Sequence, residues 1–280
     1  MTVTAKSKIT DIQELNTIAK NVRLTILHML NQAGSGHTGG SLSAVDVAVA
    51  IYFSKMQYNP KDPLWKDRDR FILSKGHAAP LLYSIMAEAG YFPKEEVASL
   101  RTIESPFQGH PCCKRLPGIE VSTGSLGQGL SVANGIALGL RLDNNPARVY
   151  CIMGDGEIQE GQVWEAAMTA AHYKIDNLCA VVDNNGLQID GPVETVMGIA
   201  PIHDKWAAFG WHVIDVDGHD MEQIVNALNE ADTIKGKPTI LIANTTKGKG
   251  VSFFEGKVEY HGVAPSDDEY ERALKEINNG

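Results

Sequence analysis

Apolar and polar residues alternate along the chain in blocks whose spacing changes from helical to extended and back. From position 12 to position 30 apolar residues recur every three or four positions, which predicts a helix ending near Gln32 and capped by Thr10 or Asp11. A glycine-rich turn over 34–40 follows, and Ser41 can cap a second, very apolar helix to about Lys55. The N-terminal part of the chain is therefore expected to be helical.

Further along, short apolar runs that end at glycine or polar residues predict strands. The predicted strands are 70–73, 149–153, 178–183, 212–216 and 239–244. The predicted helices around them are 80–89, 126–142, 162–171, 202–209 and 221–230, with an acidic amphipathic helix from 267. A further helix is expected with Pro93 in its first turn. Strands that alternate with helices indicate a doubly wound, mainly parallel sheet with helices on both faces. Residues 104–124 lack periodicity, and a connection of that length is more often functional than idle.

Composition narrows the class of protein. The 280 residues are 43% hydrophobic, which suits one α/β domain over 1–280 with an N-terminal helical extension and a short C-terminal tail. The net charge of −9 (25 basic against 34 acidic residues) and the lack of a basic run argue against nucleic-acid binding.

The expected compartment follows from targeting features that the sequence lacks. No run approaches the roughly 20 apolar residues of a membrane span, and the polar stretch 1–8 lacks the apolar region of a signal peptide. The four cysteines have no metal-type spacing and suggest no disulfide framework, so we expect a cytoplasmic protein. The adjacent Cys112 and Cys113 are interpreted as loop thiols of unassigned role.

Two polar side chains follow neighbouring predicted strands. Gly154-Asp155-Gly156 ends one strand, and Asn185 ends the next, with one helix between them. The right-handed crossover of such a unit can place both groups on the same rim of a parallel sheet. Two hard oxygen ligands, together with diphosphate oxygens, suit Mg²⁺. Glycine also lets the backbone approach a ligand closely, and the helix that follows offers its N-terminal end to a phosphate group.

Other nucleotide-binding motifs fail on inspection. The spacing from Gly156 to Gly161 resembles a Walker loop, but Gln162-Val163 stands where Lys-Ser/Thr is required. Gly154 and Gly156 lack the third glycine of a dinucleotide fingerprint.

Histidines beside glycine form a second pattern. Five of the nine histidines have a glycine neighbour: His37, His77, His110, His219 and His261. Histidine in such loops is exposed to a cleft, and in a parallel α/β protein these loops gather at the carboxyl rim of the sheet. His219, in Asp217-Gly218-His219-Asp220, is interpreted as a structural turn. Lys247 lies on a glycine turn after the last predicted strand, where a solvated loop lysine is the ordinary interpretation.

Taken together, the motifs resemble the transketolase family. The resemblance extends over nearly the whole chain in family order and is carried by Ser35-Gly36-His37, Ser74-Lys75-Gly76-His77, Gly109-His110-Pro111, Thr123-Gly124-Ser125-Leu126-Gly127-Gln128-Gly129, Gly154-Asp155-Gly156, Asp183-Asn184-Asn185-Gly186-Leu187-Gln188-Ile189-Asp190-Gly191 and His261-Gly262. Thr38 departs from the family, where many members have proline. The part covered is the N-terminal half of a full-length transketolase.

The resemblance implies thiamine diphosphate and Mg²⁺ as cofactors and assigns roles to individual residues. The implied metal ligands are Asp155, Asn185 and the backbone carbonyl of Leu187. His37, His110 and His261 are expected to act catalytically on the sugar, through hydrogen bonds to its hydroxyls and proton transfer. The expected cofactor contacts are His77, Gly124, Leu126, Gly154, Asp155, Gly156, Glu157, Asn185, Ile189, Lys247 and His261.

The resemblance also implies a missing half. In the family, the glutamate that activates the cofactor and the arginines that bind sugar phosphate belong to a second, pyrimidine-binding domain, which lies beyond the family region that this sequence matches. We therefore expect a separate partner chain carrying that domain, in an α₂β₂ heterotetramer that transfers two-carbon ketol units between sugars of the pentose-phosphate type. The glycine-rich segment 126–142 is a candidate contact surface. The sequence does not indicate which ketose is the donor and which aldose is the acceptor.

Two alternatives to this assignment stay open. One is the α subunit of another thiamine-diphosphate enzyme, either a 2-oxo-acid dehydrogenase or a relative of deoxyxylulose-phosphate synthase. The other is a non-catalytic module that binds Mg²⁺ and diphosphate.

Overall fold

The centre of the protein is a five-stranded parallel sheet. The computed structural model describes residues 5–279; the first four residues of the polar stretch 1–8, and Gly280, lie outside the described residues. The strands of the sheet are β1 Arg70–Leu73, β2 Val149–Gly154, β3 Leu178–Asn184, β6 His212–Asp217 and β7 Thr239–Asn244. Their spatial order is β1-β2-β3-β7-β6, and each neighbouring pair runs parallel. The predicted fold class is confirmed.

Helices cover both faces of this sheet. Strand residues alternate between two hydrophobic clusters: Tyr150 and Ile152 belong to one, and Cys151 and Met153 to the other. This alternation is the period of two expected of extended chain, and burial on both faces explains why the strands are continuously apolar in sequence. The helices are α1 Ile12–Ala33, α2 Thr38–Ser43, α3 Val45–Val49, α4 Ala79–Ala89, α5 Gln128–Leu142, α6 Gly161–His172, α7 Val193–Met197, α8 Ile202–Ala208, α9 Met221–Thr233 and α10 Asp267–Asn279.

The second predicted helix starts earlier than expected and is interrupted. Thr38, not a residue after Ser41, begins α2, and Ala44 separates α2 from α3. The chain then continues as a π-helix over Ala50–Lys55. Ser41 does not cap the helix; its hydroxyl donates to the carbonyl of His37, one turn earlier. The prediction was wrong here because Gly39 and Gly40 were assigned to a turn, although both are buried within the helix.

The remaining predicted helices and strands agree in their bounds to within a few residues, except that the helix expected at Pro93 is a 3₁₀ helix over Lys94–Ser99. Asp11 caps α1 by accepting from the backbone N–H groups of Gln13 and Glu14, as the sequence suggested. No regular helix or strand lies between positions 104 and 124. A short antiparallel hairpin that was not predicted follows the carboxyl end of β3. Its two strands, β4 Leu187–Gln188 and β5 Gly191–Pro192, have two residues each. Among residues 5–279, no helix is long and apolar enough to cross a membrane.

Candidate functional site

A cavity of about 330 Å³ opens at the carboxyl ends of the central strands. Strands β2 and β3 pair in register up to Gly154 and Asp183, so the residues after each strand meet at the same rim. Asp155 and Asn185 both line this cavity, together with the backbone around Leu187. The structure thus brings the three predicted metal ligands to one place.

Asp155 is a buried carboxylate held by backbone donors. Its Oδ1 accepts from the Gly156 N–H at 2.7 Å, and its Oδ2 accepts from the Gly186 N–H at 2.5 Å, one residue beyond Asn185. The side chain is only 2% exposed, and burial together with the nearby Asp183 carboxylate raises its pKa to about 6. A cation bound here would lower the pKa of Asp155, because a nearby positive charge stabilises the ionised carboxylate.

Behind Asp155, a buried ion pair orients Asn185. Asp183 contacts Lys75 Nζ and accepts from the hydroxyls of Ser43 at 2.7 Å and Thr245 at 2.5 Å. Burial alone would raise the pKa of Asp183, but Lys75 and these hydrogen bonds outweigh it and keep the pKa below its usual value. Asn185 Nδ2 donates to Asp183 Oδ2 at 3.1 Å, and its amide oxygen accepts from the Leu187 N–H at 3.1 Å. The second lone pair of that oxygen is the one available to a metal.

Lys247 also lines the cavity, next to Leu187. Its ammonium donates to the Leu187 carbonyl at 3.0 Å and lies 2.6 Å from His261 Nδ1. The side chain is 2% exposed, and burial and the neighbouring Lys75 lower its pKa to about 8. A backbone carbonyl has two lone pairs, so Leu187 retains acceptor capacity for a second partner.

Three histidine rings lie close to one another and line the cavity. Their ring centroids lie 5.0 Å apart for His37 and His77, 5.6 Å for His37 and His261, and 5.4 Å for His77 and His261. Burial, reinforced by nearby cationic groups, lowers the pKa values to about 4 for His37, about 2 for His77 and about 3 for His261. All three rings are therefore neutral at pH 7. Lys75 is paired with Asp183, so Lys247, which lies against His261, is the lysine of this cavity that can bind an anion.

Two polar atoms in this region are buried without a partner among residues 5–279. They are His37 Nδ1 and Thr123 Oγ1. Buried polar groups in proteins are nearly always hydrogen-bonded, so these two atoms keep a hydrogen-bonding capacity that the described residues do not use.

Comparison with known proteins assigns the chain to a family. Residues 15–278 match the family model described as transketolase, thiamine diphosphate binding domain. The chain belongs to the transketolase family. It is 43% identical over 264 residues to the 6-deoxy-6-sulfo-D-fructose transketolase subunit SqwG of Clostridium sp. (strain MSTE9), covering 94% of this chain and 96% of that protein. It is 40% identical to one of the subunits of the apulose-4-phosphate transketolase of Phocaeicola vulgatus, covering 95% of this chain and 95% of that protein.

Solved transketolases share the fold. The structure from Campylobacter jejuni superposes with a TM-score of 0.91 at 34% identity, covering 96% of this chain and 43% of that one. The chain thus spans about two fifths of the length of single-chain transketolases but nearly all of the length of relatives named as subunits.

Most residues that the transketolase resemblance singled out lie around this one cavity. Apart from His110, every predicted site residue lines it, including Gly124, Leu126 and Ile189. His110 is exposed in the long loop before α5 and lies against Gly124, where an added Cβ would come 2.9 Å from the ring. The assigned roles of these residues stay predictions.

Glu157 lines the cavity, but its hydrogen bonds are made to the protein. Its Oε1 accepts from Ser74 Oγ and from the Gly127 N–H at 3.0 Å, and its Oε2 accepts from the Gly154 N–H at 3.0 Å. It is 2% exposed. This geometry joins three loops of the transketolase site and suits a structural role as well as a cofactor contact.

Sequence reasoning missed two residues of the site, Lys75 and Asp183. Both belong to motifs that carry the family resemblance, yet no pattern in the sequence assigned a function to either residue. The signal for Lys75 was its position directly after a buried strand and two residues before His77. Asp183 was overlooked because it ends an apolar run that is typical of an ordinary strand.

The donor set fits the cofactor expected of a transketolase domain. Among the residues described, no group of three or more His, Cys, Asp or Glu could hold a metal by itself. Asp155, Asn185 and the Leu187 carbonyl supply three oxygens, so the shell needs further oxygens from a ligand. A diphosphate provides these, and Mg²⁺ is commonly bound through one or two carboxylates plus phosphate oxygens.

Proposed function

We propose that this chain is the diphosphate-binding subunit of a two-chain transketolase, which transfers a two-carbon ketol unit from a ketose to an aldose. The observation that carries the proposal is the convergence of Asp155, Asn185, Lys247 and three neutral histidines on one rim cavity. The relatives of the same length that are named transketolase subunits support it. A module that bound only Mg²⁺-diphosphate would not need the substrate-facing His37 and His110.

In this proposal the chain holds the cofactor by its charged end. Asp155, Asn185 and the Leu187 carbonyl hold Mg²⁺. Lys247, His77 and His261 contact the diphosphate, with Gly154, Gly156 and Glu157 shaping the backbone beneath it. Gly124, Leu126 and Ile189 provide backbone and apolar contacts. When bound, thiamine diphosphate would supply the carbanion chemistry that ketol transfer requires.

His37, His110 and His261 are assigned to the sugar. His37 lines the cavity, and its Nδ1 has no hydrogen-bond partner among the described residues, so this ring has unused hydrogen-bonding capacity. A neutral ring can accept a proton from a hydroxyl or donate one to an oxygen, which is the role required at a reacting ketose. His110 is exposed, but partial desolvation against Gly124 lowers its pKa, with Arg101 adding to the shift, so this ring is suited to the same role.

We further infer that a second chain completes the site. It would carry the pyrimidine-binding domain with its catalytic glutamate and the residues that bind the sugar's anionic end. We propose an α₂β₂ assembly, with the exposed side of α5 as a contact surface, since Gly135 and Gly139 there have no neighbour within 4 Å of an added Cβ. The whole of 1–280 acts as one diphosphate-side domain in this scheme.

Reconstitution tests the proposal directly. The purified chain alone should show no ketol transfer, and activity should appear when its complementary chain, Mg²⁺ and thiamine diphosphate are added together. Donors to be assayed include 6-deoxy-6-sulfo-D-fructose and apulose 4-phosphate, because relatives are named for them. Light scattering of the mixture gives the stoichiometry. Ketol transfer by this chain on its own would refute the two-chain assignment.

A further inference from the structure

A buried network outside the cavity holds the loop that carries Lys247. Arg23, on α1, binds Asp46, on α3, through two hydrogen bonds of 2.9 and 2.6 Å. His219, in the turn after β6, places Nδ1 2.8 Å from Asp46 Oδ2. On its other side, His219 Nε2 accepts from the backbone N–H of Thr246 at 2.8 Å.

This arrangement fixes the tautomer of His219. A backbone N–H can only donate, so Nε2 must be the unprotonated nitrogen of the ring. The proton therefore resides on Nδ1 and is donated to the Asp46 carboxylate, which Arg23 holds in place. A carboxylate that orients a histidine in this way sets which nitrogen is available to a third group.

The two ends of the Lys247 loop are thereby anchored to α1 and α3. Thr246 is held by His219, and the Lys249 carbonyl accepts from Arg23 Nε at 3.3 Å. Between these two points, Lys247 projects into the cavity.

Backbone hydrogen bonds complete the hold on the far side of Lys247. The Gly248 N–H donates to the Gly39 carbonyl at 3.1 Å, and the Gly256 N–H donates to the Lys247 carbonyl at 2.9 Å. The lysine is also packed closely, since a Cβ on Gly39 would come 2.8 Å from its Cγ. On the near side, the residue directly before Lys247 is held by His219. Thr245, one residue earlier, is held by the Asn184 carbonyl and by Asp183. Loss of the His219 bond should therefore loosen the chain between Thr245 and Lys247 while the far side stays fixed.

We propose that His219 is a positioning residue for the cofactor site, and that Asp46 and Arg23 act through it to hold Lys247 at the diphosphate. The network touches neither the cavity nor its ligand. It goes beyond the interpretation of His219 as a simple turn residue, and it rests on the proposed function insofar as Lys247 binds diphosphate.

Two substitutions of His219 separate positioning from packing. In His219→Gln, the side-chain oxygen can take the place of Nε2 and accept from Thr246. In His219→Asn, the amide can replace only Nδ1, so the bond to Asp46 survives and the bond to Thr246 is lost. His212→Gln is the matched control, because His212 lies at the other end of β6 in a surface pair with Glu230 at 2.7 Å.

The measurements are affinity for Mg²⁺-thiamine diphosphate in the complex with the complementary chain, and amide hydrogen exchange at Thr246. We expect the control and His219→Gln to remain within about threefold of the native affinity, and His219→Asn to bind about tenfold more weakly with faster exchange at Thr246. Equal losses in the Gln and Asn variants, or no loss in either, would overturn the proposal.

A measurement on the unaltered chain tests the hydrogen-bond network of His219 even if the variants fail to fold. Long-range nitrogen–proton NMR correlation distinguishes the two neutral tautomers of an imidazole, and His219 is expected to carry its proton on Nδ1. A proton on Nε2 would contradict the network. If the native complex binds no cofactor, the proposed function fails instead, and exchange at Thr246 still decides whether His219 holds the loop.

Discussion

Lys247 Nζ lies 2.6 Å from His261 Nδ1 within the cavity. An ammonium can only donate, so His261 accepts at Nδ1 and keeps its proton on Nε2. One contact thus joins the loop after the last strand to the last histidine motif and sets which ring nitrogen faces a ligand. The same lysine reaches the Leu187 carbonyl, a predicted metal ligand.

The first prediction concerns the charge of Lys247. Lys247→Met keeps much of the side chain's length and removes the cation, so affinity for Mg²⁺-thiamine diphosphate should fall at least tenfold, or about 1.4 kcal/mol. Because burial already disfavours the charged form, the midpoint of thermal unfolding without cofactor should stay equal or rise. Calorimetric titration and thermal unfolding measure both.

Lys249→Met is the control for this experiment. Lys249 lies two residues away, is partly exposed, and pairs only loosely with Glu255 at 3.6 Å. Its replacement should leave affinity unchanged. If both variants lose affinity alike, loop charge in general, not Lys247, attracts the diphosphate.

Asp155 gives a prediction that depends on pH. Its pKa is raised from 3.8 to about 6 in the folded chain, so its contribution to stability is present at low pH and is lost as pH rises through 6. Asp155→Asn should therefore abolish Mg²⁺-dependent cofactor binding and yet remove a penalty of up to about 3 kcal/mol from the metal-free chain above pH 6. Because an amide has one oxygen for the two backbone N–H groups that donate to the carboxylate, part of this gain is lost at every pH. Urea unfolding at pH 5 and pH 8 measures the difference.

The gain should shrink towards pH 5, where the native acid is protonated. Asp190→Asn, in the exposed turn of the hairpin, serves as the control and should change neither binding nor stability. An Asp155→Asn chain that still binds cofactor in a Mg²⁺-dependent way would contradict the proposed metal site.

How much of this the sequence could predict depends on the kind of feature. The strands were found because burial on both faces makes them continuous apolar runs, and Thr239–Asn244 was placed correctly at both ends. Asp155 and Asn185 were found because chain order and the crossover rule put them at one rim. The fold class and the family were confirmed. The magnesium site and the residue roles stay predictions.

Other features required long-range packing that periodicity does not contain. Lys75 and Asp183 are 108 positions apart and meet only because β1 and β3 flank β2. Helix α2 begins at Thr38 and packs Gly39 closely against Lys247, a contact between distant positions that local propensity does not contain. The role of His219 depends on Asp46, 173 positions away.

His77 should make the chain sensitive to acid. Burial, with Lys75 nearby, lowers its pKa from 6.5 to about 2, so the unfolded chain takes up a proton below pH 6.5 that the folded chain excludes. Stability is complete above pH 6.5 and is lost as pH falls, by up to about 1.4 kcal/mol per pH unit from this residue. His77→Gln should lose less stability than the native chain between pH 7 and pH 5.

Urea unfolding at the two pH values tests this, with the exposed His172→Gln as control. Saturation with Mg²⁺-thiamine diphosphate should flatten the dependence in the native chain, because a bound anion favours protonation of His77. Identical pH dependence in the native and His77→Gln chains would show that this ring does not carry the effect.

The buried pair of Lys75 and Asp183 supplies the last prediction. Both side chains are almost inaccessible, at 2% and 1% exposure, so removal of one partner leaves the other charge buried and unpaired. Lys75→Met and Asp183→Asn should each cost about 3–5 kcal/mol in the free energy of unfolding. Because the double variant buries no isolated charge, it should be more stable than the sum of the two single losses predicts. Urea unfolding of all four chains gives this coupling free energy.

Lys94→Met with Glu88→Gln is the control cycle at a more exposed pair, where coupling should stay below about 1 kcal/mol. Additive losses at Lys75 and Asp183 would mean that the two charges are stabilised independently, and that Asn185 is not oriented by their pairing.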